Sequence, residues 1–75
     1  MRMTKTQMAK LKPYEYQMRL AMNDIAPGLL KEEAKVIYDI YNALFNDNKA
    51  WSRCPACNLS IVKRLANIYF KEGNK

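Results

Sequence analysis

Between positions 29 and 46 apolar residues recur at intervals of three and four. Leu30, Ala34, Ile37, Tyr41 and Leu44 make one row, and Leu29, Val36, Ile40 and Ala43 run beside it. That period predicts a helix over 29–46. Lys31, Lys35, Asp39, Asn42 and Asn46 are left with a narrow polar strip. A helix apolar around more than half its circumference needs cover from two sides, so it is expected to be the central helix. Two neighbouring helices could supply that cover, or one neighbour and a second copy of the chain.

A second pattern follows Cys54. Leu59, Ile61, Val62, Leu65, Ala66, Ile68, Tyr69 and Phe70 share one arc of a helical wheel, while Ser60, Lys63, Arg64, Asn67 and Lys71 occupy the other. Pro55 suits the first helical position because its missing N–H has no partner there, which puts Cys54 at the N-cap. Gly73 supplies a stop, so the helix is expected over 55–72. Before the middle helix, Tyr14, Met18, Ala21, Met22 and Ile25 mark one side of a helix over 13–26, opened by Pro13 and ended by Pro27 and Gly28. Residues 46–49, Asn-Asp-Asn-Lys, read as a turn, and Trp51 behind them as a plug for one end of the core.

The expectation is therefore an all-α, three-helix domain over 13–75. Residues 1–12 precede it as a basic, partly disordered lead-in, with a short extra helix capped by Thr4 or Thr6 as an option. Seventy-five residues make one domain with a thin stability margin. Folds of this size often recruit a metal, a disulfide or a second copy of themselves. No stretch is long and apolar enough to span a membrane, and the start lacks the apolar run of a signal peptide, which points to the cytoplasm.

Charge adds a rival to self-association. The formal net charge is +6, and it is uneven along the chain. Residues 1–12 hold four basic side chains and no acid, and residues 54–75 hold four against one. Arg2, Lys5, Lys10, Lys12, Lys63, Arg64 and Lys71 are thus candidate phosphate contacts for nucleic acid. The abundance of Lys, Asn, Ile and Tyr would suit an AT-rich genome, such as that of a phage or a low-GC bacterium.

Candidate chemistry is confined to two residues. There is no histidine, which removes Ser-His and Cys-His nucleophiles, and the acids sit at spacings ordinary for solvated helix faces. Cys54 and Cys57 remain, in C-P-x-C at a loop-to-helix junction. Reduced thiols in the cytosol argue against a structural disulfide, and two structurally incidental thiols are the leading reading, ahead of a shared metal and then of redox chemistry. Two thiolates are half of a tetrahedral zinc site, and the same pair from a second chain would complete it.

Cys54, Pro55 and Cys57 with a helix on each side resemble the zinc hook of long coiled-coil repair ATPases, which implies one metal joining two chains. C-P-x-C also resembles the active-site motif of thioredoxin-like oxidoreductases, which implies Cys54 as the attacking thiolate, favoured by the helix dipole and Arg53, and Cys57 as the resolving thiol. Those proteins place the motif after a strand, and no strand-like run occurs here.

The residues together point to a non-catalytic interaction module, not an enzyme. It is expected to self-associate through Leu29, Val36, Ile40 and Ala43 and to bind a macromolecular partner. Nucleic-acid binding through the basic ends is the first alternative, and a thiol redox protein the second. Zinc, held by Cys54 and Cys57 between chains, is the one cofactor considered.

Overall fold

Thr4 opens the first helix by a reciprocal cap. Its hydroxyl accepts the Gln7 N–H at 3.1 Å, and the Gln7 side-chain oxygen accepts the Thr4 N–H at 2.9 Å. Helix α1 (Lys5–Leu11) runs through a 3-10 turn (Lys12–Tyr14) into α2 (Glu15–Met22), and α3 (Lys31–Phe45) and α4 (Pro55–Gly73) follow. The computed structural model describes residues 3–73, and they form an all-α fold without strands. No helix among them is long and apolar enough to cross a membrane.

The Thr4-capped helix is thus the option that forms within the expected lead-in. Leu11 is wholly buried and Met3 nearly so, because α1 packs against α3. Helix α4 packs against α3 as well and, most extensively, against α2. Much of the cover that the two apolar rows of α3 require therefore comes from α1 and α4 of the same chain, with Val36 and Leu44 left half-buried and Ala43 exposed. Ala34, Ile37, Tyr38, Ile40 and Tyr41 of α3 are buried, as are Met18 and Ala21 of α2 and Ile61, Val62, Leu65, Ala66 and Tyr69 of α4. Each such leucine, isoleucine or valine contributes about 1.5–3 kcal/mol by leaving water.

The expected 13–26 helix is corrected at both ends. Pro13 lies in the 3-10 turn, and α2 stops at Met22 instead of at Pro27 and Gly28. Asp24 takes a left-handed conformation (φ 60°). Its N–H meets the Ala21 carbonyl at 3.0 Å, and the Ile25 N–H meets that of Leu20 at 2.9 Å. This pair of bonds is a Schellman ending, which satisfies carbonyls that a helix end otherwise orphans. Consequently Met22 and Ile25, expected on the side of α2 that Met18 and Ala21 bury, are exposed.

Helix α3 begins two residues later than expected. Leu30 is extended, and the Glu33 carboxylate reaches back to its N–H at 3.0 Å. A leucine has no side-chain acceptor, so the cap is one-sided. At the other end Asn46 turns left-handed (φ 51°) and the Asp47 N–H bonds the Asn42 carbonyl at 3.1 Å. Helices α2 and α4 are also joined by the Tyr69 hydroxyl, which donates to Glu15 at 2.5 Å. Burial, and then this bond to a carboxylate, pushes the Tyr69 pKa up to about 12.

Candidate binding face around the loop 46–54

The start of α4 places the two cysteines. Cys54 Sγ accepts the Cys57 N–H at 3.4 Å, and its carbonyl accepts the Asn58 N–H at 3.1 Å, so Cys54 is the N-cap. The neighbouring Cys57 thiol first, and the Cys57 backbone N–H second, hold the Cys54 pKa below the ordinary thiol range, while the contact with Cys54 raises Cys57. The two thiols are free, Cys54 half-buried and Cys57 exposed. Facing sulfurs of unequal acidity can act as a dithiol, with Cys54 the better nucleophile, or chelate one soft metal ion. No third cysteine, aspartate or glutamate gathers with them among the described residues. A closed zinc site would need two further ligands from another molecule.

The loop before Cys54 is fixed by amide side chains. Asn42 of α3 binds the Lys49 backbone twice, accepting its N–H at 2.9 Å and donating to its carbonyl at 3.0 Å. Asn58 of α4 donates to the Ser52 carbonyl at 3.2 Å and accepts the Tyr38 hydroxyl at 2.6 Å. Asn58 is a buried polar residue inside an apolar core, and such a residue is tolerated only when its hydrogen bonds are made. Here those bonds tie the loop to both long helices.

Trp51, carried by this loop, packs half-buried against the core, and its indole N–H is buried without an acceptor among the described residues. On one side of it lies a groove of about 680 Å³ lined by Pro27, Leu29, Leu30, Trp51 and Pro55 among others. Leu30, on the wall of this groove, is 68% exposed, and Ile25 and Met22, earlier in the same stretch of chain, are exposed at 52% and 40%. Farther along the loop, a groove of about 310 Å³ is lined by Tyr41, Lys49, Ser52, Cys57, Ser60 and Arg64 among others.

The sequence-derived candidates distribute as follows. Ile40 is inside the core, Leu29 and Val36 are half-buried against it, Ala43 is exposed, and of the four only Leu29 lines the apolar groove. Lys5, Lys10 and Lys12 are exposed on α1 and the following turn, and Arg2 lies outside the described residues. Lys63 is paired with Asp24 at 2.5 Å. Arg64 donates to the Tyr41 hydroxyl at 3.1 Å and lies 6.0 Å from the Phe45 ring centre. Lys71 is exposed farther along α4. Helix α1 does not pack extensively against α4, so helix packing does not join the two basic segments into one patch.

Asn42, Lys49 and Asn58 were not singled out from the chain. Asn58 had a usable signal, since it precedes Ile61 and Val62 by three and four and so occupies a core-facing position. Neither the sequence nor the fold matches a known protein family, a characterised protein or a solved structure.

Proposed function

We propose that the protein is a small non-catalytic module that pairs with a second copy of itself through the apolar face at Leu30. The observation that carries this reading is the exposure of Leu30 on a largely apolar groove that also carries Lys31 and Arg53, with Ile25 and Met22 exposed earlier in the same stretch of chain. A two-fold interface uses the same patch on both subunits, so it needs both a protruding side chain and a recess. Leu30 is the protrusion, and the groove between Pro27, Trp51 and Pro55 is the recess. A standard interface of about 800 Å² per partner would cover a modest part of the 5098 Å² that the chain exposes. Leu29 keeps its place in the interface, whereas Ile40 serves the core of each subunit.

The test is sedimentation of the intact chain alongside Leu30→Asp. Leu30 is mostly exposed in an extended segment, so its replacement should change folding stability by no more than about 0.5 kcal/mol. The wild type is expected to run as a dimer, and the variant as a folded monomer whose melting temperature no longer rises with protein concentration. A wild type that stays monomeric at every concentration, or a variant that stays dimeric, removes this reading.

A further inference from the structure

We propose that the groove between the loop and α4 is a phosphate site for the backbone of a nucleic-acid strand, with Lys49 and Arg64 as its cationic walls. The residues around it include no acid. Four residues with donor side chains line it. Lys49 comes from the loop, Arg64 from the third turn of α4, and Ser52 and Ser60 add hydroxyls.

The Arg64 guanidinium is positioned before any ligand arrives, and the Lys49 side chain springs from an anchored backbone. Asn42 holds the Lys49 backbone by both its N–H and its carbonyl. The Arg64 guanidinium is steadied by the Tyr41 hydroxyl and by the face of Phe45, which leaves its other N–H groups free to meet an anion. Preformed donors of this kind lose little freedom on binding, and a guanidinium suits phosphate oxygens geometrically.

Tyr41 makes an independent case for an anionic occupant. It is 1% exposed and lines the groove, and its oxygen accepts from Arg64. Its own proton has no acceptor among the described residues. That leaves the proton to face the groove, where a phosphate oxygen would accept it.

The choice of a polymer over an isolated phosphate follows from what adjoins the groove. Cys57, Ser60, Arg64, Asn67 and Lys71 recur every three or four residues and are all exposed. They form an acid-free stripe about 21 Å long at the helical rise. The chain also carries a net charge of +6, which favours a polyanion. This surface is separate from the apolar face at Leu30, and the proposal does not depend on pairing.

The experiment measures binding of a labelled single-stranded oligonucleotide of about 16 nucleotides, near the upper site size of a small binding fold, across a salt series. With Lys49, Arg64 and Lys71 as contacts, the slope of log affinity against log salt should be near −2.1, at about −0.7 per phosphate. Lys49→Ala and Arg64→Ala should each weaken binding about tenfold and flatten the slope by about 0.7.

Tyr41→Phe removes a neutral donor, so it should weaken binding about threefold and leave the slope unchanged. Lys63→Ala, whose charge is engaged by Asp24, should bind as the wild type does. Should Tyr41→Phe fail to fold, Lys49→Ala decides alone, since that side chain is exposed. Three outcomes overturn the proposal: no binding at about 50 mM salt, where such contacts are strongest, an equal loss from Lys63→Ala and Lys49→Ala, or tighter binding of a phosphoserine peptide than of the strand. Inorganic phosphate is expected to compete only weakly, and competition as strong as the oligonucleotide's would assign the groove to a free anion instead.

Discussion

At the scale of single residues, the thiol of Cys54 does the work of a helix cap. Sulfur is a weak acceptor and the bond from Cys57 N–H is long at 3.4 Å, whereas serine is among the preferred capping residues. Cys54→Ser is therefore expected to hold or slightly raise thermal stability, by up to about 1 kcal/mol. A structural zinc contributes roughly 10–16 kcal/mol in apparent binding energy, so if the pair held one, the same variant would lose most of its stability. A melting curve with and without chelator separates the two outcomes.

The position of Cys54 at the cap was legible in the sequence, because Pro55 marks a first helical residue without reference to the rest of the fold. The partners of Asn42 and Asn58 were not, since a side-chain amide bonded to a loop seven or six residues away leaves no periodic trace.

At the scale of elements, α3 and α4 were legible because each repeats its apolar period over at least four turns. The short elements were not. Helix α1 has only seven residues, too few for a period to stand out, and its four-residue cap was the only local sign. In α2 the apolar rhythm runs on through Met22 and Ile25, while the chain has already turned at Asn23 and Asp24; a left-handed aspartate overrides the period there. The role of α1 in the core can be checked at Leu11, which is wholly buried. Leu11→Ala is expected to cost about 2–5 kcal/mol in urea unfolding, the usual range for such a cavity. A loss below about 0.5 kcal/mol, typical of surface changes, would return residues 3–11 to the status of a lead-in.

At the scale of the whole molecule, the apolar excess of α3 suggested a second subunit, and α1 and α4 answer most of that need internally. The case for pairing moves to a different surface, the loop that follows α2, where no period operates and a sequence reading had nothing to follow.

The contact of α2 with α4 has its own signature in alkali. Tyr69 ionises near 10 in an unfolded chain and at about 12 in the fold. A raised pKa favours the protonated, folded form, so this contribution is complete below pH 10 and is lost as pH climbs toward 12. Wild-type melting temperature is expected to fall over that window, and Tyr69→Phe, with no proton to lose, should fall less. Parallel curves for the two proteins would show that the bond to Glu15 does not link stability to pH.

The double hold of Asn42 on Lys49 bears on how the chain ages in the presence of proteases. A trypsin-like enzyme must draw the peptide into an extended strand and bond its backbone, but at Lys49 the donor and the acceptor are already taken. Cleavage there has to wait for the loop to lift away, so its rate follows how often that happens and not how exposed the lysine is. The loop thus serves as its own timer, and anything that settles against it would slow the clock.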